Sequence, residues 1–324
     1  MALQAPAQQL VTVFGGSGFV GRHVVRALVK RGYRVRVAVR RPDLAGFLQP
    51  LGTVGQIHAV QANIRNPASI KAAMRDASIV VNLVGILAEG GKQSFDSVQA
   101  EGAGAIAQAA AEIGARLVHV SAIGADANSE SAYARAKAVG EANVLAAVPQ
   151  ATILRPSLVF GPEDSLTNRF ASLARMAPVM PVFGAETKMQ PVFVGDVAQA
   201  VAEAADGKTK PGAVYELGGP EVLTMQEIVE IVLKTIERER MILPVPMGIA
   251  KLKSYVLQFA PGDFKLTPDQ VAMLKVDNVV SDAAKAAGLT LEGLGIAPDS
   301  MEAVAPQYLW RFRATGQFAH NGAN

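Results

Sequence analysis

Residues 10–21 read Leu-Val-Thr-Val-Phe-Gly-Gly-Ser-Gly-Phe-Val-Gly, a short apolar run that opens into a cluster of glycines. Apolar residues then recur at helical spacing as far as Val29, Gly32 ends the pattern, and a second apolar run fills residues 34–39. This order of strand, glycine loop, helix and strand predicts the start of a right-handed parallel βαβ unit.

The same alternation continues to residue 154. The sequence predicts further strands at residues 55–61, 79–84, 117–120 and 152–154, and further helices at residues 68–77, 95–113 and 133–147. Strands that alternate with helices at this pace predict an α/β fold, a Rossmann-type doubly wound parallel sheet.

Beyond Pro156 prolines become frequent and strands and helices no longer alternate regularly. Short strands are predicted at residues 192–194 and 214–217, and an amphipathic helix is predicted at residues 224–237. We therefore expect residues 1–159 to form the nucleotide-binding domain, to which later segments return. Residues 160–324 are expected to form a smaller, discontinuous C-terminal α/β region that ends in a partner-docking tail. No repeat or low-complexity linker separates the two parts.

Composition excludes several classes of protein. The 324 residues carry a net charge of only +3 without a basic stripe, so no nucleic acid is expected as a partner. Cysteine is absent, and the scattered histidines His23, His58, His119 and His320 lack the spacing of metal ligands, so no metal is expected. No apolar run reaches the ~20 residues of a transmembrane segment, and the first nine residues do not resemble a signal peptide.

The glycine cluster has the spacing Gly-x-x-Gly-x-x-Gly between a strand and a helix. Glycines allow a tight turn and a close approach of the backbone to a pyrophosphate, and the helix that follows presents free N–H groups to it. The cofactor-binding residues predicted here are Gly15, Ser17, Gly18, Phe19, Val20 and Gly21. A glycine turn without a ligand is the alternative, and the βαβ context argues against it.

The end of the second predicted strand, Val39-Arg40-Arg41-Pro42-Asp43, distinguishes between two cofactors. An acidic residue there accepts from the ribose 2′-hydroxyl of NAD, whereas an arginine pairs with the 2′-phosphate of NADP. Arg40 and Arg41 therefore favour NADPH over NAD(H), because a guanidinium offers two parallel donors to a phosphate. The alternative is that both arginines are solvated loop charges, and the nearby Asp43 weakens the distinction.

Further motifs follow the predicted strands in a fixed order. They are Asn63-Ile64, Asn82-Leu83-Val84-Gly85, Val120-Ser121-Ala122, Tyr133-Ala134-Arg135-Ala136-Lys137 and Arg155-Pro156-Ser157-Leu158-Val159-Phe160-Gly161-Pro162. With the glycine loop, this series resembles the short-chain dehydrogenase/reductase superfamily in its extended or atypical branch. The resemblance implies that the cofactor site is completed by Asn63, Ile64, Val84, Gly85, Ser121, Tyr133, Lys137, Pro156 and Ser157.

The resemblance also implies roles for the Tyr-x-x-x-Lys pair, Tyr133 and Lys137. In active members the lysine lowers the tyrosine pKa and binds the nicotinamide ribose, and the tyrosine exchanges a proton with substrate. Those members also place a hydroxyl residue just beyond the position of Ser121, where this chain has Ala122 and Ile123. Ser121 takes the place of this hydroxyl residue if the register of the preceding strand differs from that of the family. Otherwise the triad is incomplete, and Tyr133 and Lys137 are vestigial as catalysts and hold the ribose.

A narrower resemblance lies in the second half. It rests on residues 137–141, 160–164, 168–171 and 190–197, and on Tyr308-Leu309-Trp310-Arg311-Phe312. These runs are similar to the family of the nucleotide-binding accessory subunit of respiratory complex I, alpha subcomplex subunit nine, and its bacterial relatives. The family implies tightly held NADPH, no established turnover, and contact with peripheral-arm subunits near the membrane. Without an obvious mitochondrial presequence, a bacterial member on the cytoplasmic side of the inner membrane is favoured, or else a mature form.

Two other functions remain open on the sequence. One is a free-standing NADP(H)-dependent oxidoreductase or nucleotide-sugar epimerase/dehydratase that uses Tyr133, Lys137 and Ser121. The other is a redox-sensing module whose partner affinity depends on the oxidation state of the cofactor.

Two segments bear on partners. Residues 241–264 contain a stretch able to form an amphipathic helix with Lys251 and Lys253 beside an apolar face, too short to span a membrane. Packing on its own domain is favoured for this helix, with a partner or a lipid surface as the alternative. The tail around Trp310 and Arg311 either docks on a partner or folds back.

Overall fold

The computed structural model of the protein describes residues 6–259 and 266–315. The described residues form strands β1 Leu10–Phe14, β2 Arg34–Val39, β3 Ile57–Gln61, β4 Ile79–Asn82, β5 Arg116–Val120, β6 Thr152–Pro156, β7 Val159–Phe160, β8 Val179–Phe183, β9 Lys188–Met189, β10 Val192–Phe193, β11 Val214–Leu217, β12 Leu223–Thr224 and β13 Met241–Val245.

The helices are α1 Phe19–Lys30, α2 Pro67–Met74, α3 Glu101–Glu112, α4 Ala132–Ala147, α5 Ser165–Met176, α6 Val194–Ala205, α7 Met225–Thr235, α8 Met247–Leu257, α9 Pro268–Met273, α10 Asp282–Ala286, α11 Met301–Val304 and α12 Pro306–Leu309. Short 3-10 segments lie at Pro6–Gln8, Pro42–Leu51, Glu292–Leu294 and Trp310–Phe312, and a π-helical turn lies at Asp96–Ala100.

Unit 1 comprises Met1–Pro156, Val194–Leu217 and Ser281–Ala297. Its seven-stranded parallel sheet has the order β11-β6-β5-β4-β1-β2-β3, so the chain reverses direction across the sheet between β1 and β4. Parallel strands are covered by helices on both faces, which is why β4 is apolar and buried from Ile79 to Val81. The predicted Rossmann-type doubly wound sheet is confirmed, and Val214–Leu217 lies at its edge beside β6.

The reversal between β1 and β4 fixes where a ligand can bind. In open α/β sheets the crevice lies at the carboxyl ends of the strands, where the strand order reverses. The glycine loop follows β1 at this edge, and Leu83 follows β4, its N–H donating to Phe14 O at 3.0 Å. The sheet therefore brings the first and fourth loops together.

Unit 2 comprises Ser157–Phe193, Gly218–Val280 and Pro298–Asn324. Its core is formed by α5, α7, β8, α11 and α12, with side chains such as Met180, Ile228 and Leu309 fully buried. Three two-stranded sheets accompany this core, formed by β10 with β7, β12 with β9, and β13 with β8. Thr224 begins α7 with a capping box in which Glu227 bonds back to the Thr224 N–H.

The structure differs from the sequence-based expectations in several bounds. The predicted helix at residues 95–113 begins with the π turn at Asp96–Ala100, because α4 passes so close that a Cβ on Gly140 would overlap the Gln99 carbonyl oxygen. The strand predicted at residues 192–194 ends at Phe193, and Val194 opens a helix that the sequence reading did not predict.

Candidate dinucleotide-binding site

The glycine loop adopts a backbone conformation that only glycine takes without strain. Gly15 has φ +79°, and its carbonyl oxygen accepts from the Gly18 N–H at 3.0 Å. A Cβ on Gly21 would overlap that same carbonyl oxygen and the backbone of Gly16, so the first turn of α1 packs directly on the loop. The loop is therefore closed by backbone contacts that a side chain would disrupt.

The N-terminus of α1 is left open toward this loop. Gly18 is its N-cap residue and provides no side-chain hydrogen bond to the first N–H groups. Such uncapped N–H groups, with the positive end of the helix dipole, form an anion-binding site. Ser17 and Val20 are half-buried at this junction, and Phe19 meets His23 edge-on with ring centroids 6.0 Å apart. The arrangement fits a pyrophosphate.

The loop after β4 lies against the glycine loop. A Cβ on Gly15 would lie 3.3 Å from the Val84 nitrogen, and the Val84 N–H donates to Asn82 Oδ1 at 3.1 Å. Next to it, a Cβ on Gly85 would lie 3.6 Å from both Gln99 Oε1 and Lys137 Nζ. Glycine at position 85 thus keeps open the space between the loop and these two polar groups.

Lys137 is a buried cation. Its ammonium donates to the Val120 carbonyl at 3.2 Å. Burial lowers the pKa of Lys137 to about 8, an effect that Glu141, one helical turn away, partly opposes. Glu141 itself is held by a bidentate ion pair with Arg155, with Nε–Oε1 and Nη2–Oε2 distances of 2.9 and 2.6 Å. An ammonium kept in such a place needs further acceptors, and the hydroxyls of a bound ribose would be suitable ones.

Tyr133 lies one turn before Lys137 on α4, as the Tyr-x-x-x-Lys spacing requires. The Lys137 ammonium lies 5.9 Å from the centroid of the Tyr133 ring, and Phe95 packs edge-on against the ring at 5.7 Å. The tyrosine is half-buried and held from two sides. The structure therefore brings the predicted pair together.

Ser121 follows β5, and its backbone N–H donates to the Leu154 carbonyl at 2.7 Å. Its buried Oγ has no hydrogen-bond partner among the described residues. Ala122 and Ile123 come next, and the Ile123 N–H donates to the Pro156 carbonyl at 3.0 Å. The positions after Ser121 thus supply no side-chain hydroxyl.

Gln99 is the residue that the sequence analysis missed. It lies in the π turn and is buried, and neither its amide nitrogen nor its amide oxygen has a hydrogen-bond partner in the part of the chain described here. Leaving a buried polar group without a partner costs roughly 1–3 kcal/mol, and Gln99 Oε1 lies 3.6 Å from the position of a Cβ on Gly85, so the two unpartnered amide atoms indicate a ligand beside this loop. The sequence feature that could have identified Gln99 is a single amide side chain between two apolar residues, Val98 and Ala100, which are both buried in the structure.

His119 is the second buried polar residue that sequence reasoning left unassigned. Its Nδ1 lies 3.1 Å from Asn82 Nδ2, and its Nε2 has no partner within the described chain. Burial first, and the Lys137 charge second, lower the pKa of His119 to about 3, so the ring is neutral. It contributes polarity without charge to this region.

The two arginines after β2 differ. Arg41 is exposed and forms an ion pair with Asp43, Nη2–Oδ2 2.7 Å, which raises the pKa of Arg41 and lowers that of Asp43 through a side-chain hydrogen bond. Arg40 is exposed and has no such pair among residues 6–259 and 266–315. Of the two predicted phosphate ligands, Arg40 is therefore the guanidinium whose donors face no competing carboxylate.

The remaining predicted residues have mixed placements. Asn63 caps its own turn, its Oδ1 accepting from the Arg65 N–H at 3.1 Å, and Ile64 packs over Gly102 at the start of α3. Pro156 ends β6 in unit 1. Ser157 belongs to unit 2, and its hydroxyl bonds to Asn278 there at 2.7 Å. Ser157 is thus the predicted ligand that the geometry favours least.

The described residues contain no group of three or more His, Asp or Glu side chains able to hold a metal ion. Within the same ranges no helix is long and apolar enough to cross a bilayer.

The glycine cradle, the uncapped helix and the orphaned polar atoms together define a dinucleotide-binding protein of Rossmann type. The chain belongs to the NAD dependent epimerase/dehydratase family, whose sequence model matches residues 11–218. The predicted resemblance to the extended short-chain dehydrogenases is thereby confirmed.

A more specific similarity covers nearly the whole chain. It is 35% identical over 95% of its length to subunit 9 of the NADH dehydrogenase (ubiquinone) 1 alpha subcomplex from Arabidopsis thaliana mitochondria, of which it covers 79%. It is also 32% identical to the mitochondrial 40 kDa subunit of NADH-ubiquinone oxidoreductase from Neurospora crassa, over 95% of the chain and 80% of that protein. These similarities bear out the resemblance read from the second half.

Solved structures agree on the fold. An NADPH-dependent quinone oxidoreductase from Escherichia coli, complexed with NADPH, superposes with a TM-score of 0.70 at 18% identity, covering 92% of this chain and 99% of that one. A dTDP-glucose 4,6-dehydratase from Streptomyces venezuelae, with NAD bound, gives 0.68 at 20% identity and coverages of 94% and 96%. Because one binds NADPH and the other NAD, the fold alone does not distinguish the two cofactors.

Proposed function

We propose that this protein is an NADPH-holding, non-catalytic accessory subunit of respiratory complex I, bound to peripheral-arm subunits on the cytoplasmic side of a bacterial inner membrane. The observation that carries the proposal is the similarity to the mitochondrial subunits over 95% of the chain. It spans both units, including segments of unit 2 outside the family match at residues 11–218.

The cofactor part of the proposal rests on the fit of the site. Gly15 and Gly21 leave room for a pyrophosphate, and Lys137 and Gln99 offer buried polar groups that a nicotinamide ribose would satisfy. Arg40 favours the phosphorylated dinucleotide. A ligand that binds only the folded state adds RT ln(1 + [L]/Kd) to the free energy of unfolding, so tightly held NADPH acts as a structural element.

The non-catalytic part rests on the positions after Ser121. Proton exchange with a carbonyl substrate needs a tyrosine and a hydroxyl that orients the substrate, and Ala122 and Ile123 supply none. Lys137 and Tyr133 hold the ribose. Binding without turnover follows from this combination.

Isolation of complex I from membranes of the native organism tests the proposal. The chain is expected in the purified enzyme in a one-to-one ratio with the core subunits, as measured by quantitative mass spectrometry. Deletion of the gene is expected to lower the amount of assembled enzyme. Purified complex I that lacks the chain contradicts the proposal.

A second function is favoured by one similarity. The chain is 35% identical over 192 residues, 59% of its length, to a protein named ceramide reductase from Caulobacter vibrioides. An NADPH-dependent reductase of a lipid-like carbonyl compound would use Tyr133 as the acid, Lys137 as its partner and the orphaned Ser121 hydroxyl to orient the substrate. NADPH oxidation with a long-chain ketone as substrate, abolished by Tyr133→Phe, would favour this function over the accessory role.

A further inference from the structure

Helix α8 exposes an apolar face. Ile249, Leu252, Tyr255 and Val256 are between 48% and 73% exposed, and Phe259, just beyond the end of the helix, is 83% exposed. No described residue covers them. Helix α8 does pack on its own domain, as expected, but through its opposite face, and the described residues of unit 2 leave this apolar face uncovered.

The opposite face of the helix packs on unit 2, where the partly buried side chains of Met247 and Leu257 accompany two fully buried small residues. Ala250 and Ser254 are its fully buried residues, and Ala250 packs in a cluster with Leu266 and Val271. Successive residues of an α-helix turn by about 100°. Angles around the helix axis can be counted from Ile249 at 0°. Ala250 and Ser254 then lie at about 100° and 140°. Tyr255, Leu252 and Val256 lie at about 240°, 300° and 340°. The anchored and exposed faces are therefore opposite one another.

Lysines border the exposed face on both sides. On the same scale Lys251 lies at about 200° and Lys253 at about 40°, each about 40° outside the apolar arc. Both are exposed, and residues 241–259 contain these two lysines and no acidic residue. Strand β13, which precedes α8 in unit 2, also has exposed apolar side chains, Met241 and Leu243, at 68% and 52% exposure. The surface is apolar at its centre and positive at its edges.

We propose that α8 lies flat on the surface of an anionic lipid bilayer. Leu252 and Val256 enter the boundary between headgroups and acyl chains, and Lys251 and Lys253 reach sideways to lipid phosphates. A bilayer matches this surface better than a protein does, since lysine is depleted at protein interfaces and aligned flanking cations suit a plane of phosphates. The eleven-residue helix is about 16 Å long, so it rests on the bilayer and does not cross it.

Flotation of the purified full chain with vesicles tests the proposal. One set of vesicles is phosphatidylcholine alone, and the other contains phosphatidylglycerol as well. The chain is expected to float with the mixed vesicles and much less with the neutral ones. Lys251→Gln/Lys253→Gln is expected to bind mixed vesicles roughly thirtyfold more weakly. Leu252→Ser/Val256→Ser is expected to lose at least tenfold on the same vesicles.

Matched controls separate this surface from general charge or hydrophobicity. Lys30→Gln/Lys92→Gln removes two exposed lysines of unit 1, and Leu44→Ser/Val54→Ser removes two exposed apolar side chains there. These variants are expected to bind as the natural chain does. Absence of flotation with mixed vesicles, or equal losses in the control variants, overturns the proposal. So does a result in which the α8 variants float normally but lose a protein partner.

The proposal deepens the membrane location in the proposed function, but the two fail separately. Vesicle flotation needs no other subunit, so a chain that floats and is absent from complex I contradicts the proposed function alone. A chain that is present in complex I and does not float contradicts the lipid surface alone.

Discussion

Two regions of this protein depart in opposite ways from the usual arrangement, in which apolar side chains are buried and buried polar groups are hydrogen-bonded. In unit 1, both amide atoms of Gln99, the Ser121 hydroxyl oxygen and the His119 Nε2 are buried and have no hydrogen-bond partner among the described residues. On α8 in unit 2, large apolar side chains such as Leu252 and Val256 are exposed. Folding minimises both kinds of defect. Each region is therefore best explained by a molecule outside the chain, polar in the first case and apolar with anionic headgroups in the second.

The two regions are also held in place by different kinds of contact. The polar region is held by backbone contacts of the glycine loop and by a partly buried Glu141–Arg155 ion pair, so its geometry is fixed by contacts within the chain. The apolar face needs only a helix anchored by Ala250 and Ser254. Changes in the first region should alter ligand affinity and the free energy of unfolding together. Changes in the second should leave that free energy nearly unchanged.

The largest effect is expected from Gly21→Ala. The new Cβ would overlap the Gly15 carbonyl oxygen, so the glycine loop must shift away from the position that cradles a pyrophosphate. We expect NADPH affinity, measured by titration calorimetry, to fall at least a hundredfold, and the free energy of unfolding to fall by roughly 1–3 kcal/mol. Gly46→Ala is the matched control, since no atom lies within 4 Å of its Cβ position. Unchanged NADPH affinity in Gly21→Ala would remove the loop from the site.

Lys137→Met separates stability from binding. Because burial lowers the pKa of Lys137 from 10.5 to about 8, the folded cofactor-free chain holds its ammonium at a cost of about 3 kcal/mol below pH 8. The unfolded chain binds more protons between pH 8 and 10.5, so this cost shrinks as pH rises through that window. The cofactor-free variant is expected to be more stable than the natural chain at pH 7 and to lose that advantage by pH 10.5.

Denaturant unfolding at several pH values measures the effect, and the same variant is expected to bind NADPH at least tenfold more weakly. Lys30→Met, on the exposed surface of α1, is the control and should show neither change. A Lys137→Met chain whose stability difference from the natural chain is constant from pH 7 to 10.5 would contradict a buried ammonium.

Arg40→Ala is expected to act on cofactor choice alone. If Arg40 contacts the 2′-phosphate, the variant should lose roughly ten- to hundredfold in NADPH affinity and little in NADH affinity, because charged hydrogen bonds to phosphate are lost. Arg41→Ala is the matched control, since Arg41 already pairs with Asp43. Equal losses for NADPH and NADH, or a larger effect at Arg41, would assign the phosphate elsewhere.

The smallest effect is expected from Tyr133→Phe. The change removes one hydroxyl and keeps the ring contacts with Phe95 and Lys137, so NADPH affinity should fall less than tenfold. Complex I activity in membranes of the variant strain should match that of the natural strain. A large loss of any NADPH-dependent activity in this variant would support the reductase function.

The fold could be predicted from the sequence because its determinants are local. The strand–glycine–helix pattern at residues 10–30 and the apolar strands need no knowledge of distant contacts. Unit 2 was less predictable. In unit 1, α6 was missed because its first residue, Val194, ends the apolar run that predicted a strand at residues 192–194. Whether that run continues as a strand or opens a helix is decided by packing, and nine of the twelve residues of α6 are buried.

The site was predictable only where family motifs mark it. The glycine loop, Tyr133 and Lys137 follow from spacing, and the structure brings Lys137 to Gly85. Gln99 was not predicted because its position depends on the π turn. The π turn in turn depends on Gly140, which lets α4 pack in close contact with it. That contact joins residues 41 positions apart, which no local pattern reveals.

Native isolation of the protein, followed by mass spectrometry of the nucleotide it releases and of the proteins that accompany it, tests the central claim most directly. We predict one NADP(H) per chain, released only on unfolding, together with core subunits of complex I. An empty chain, bound NAD(H), or isolation without complex I subunits would contradict this account.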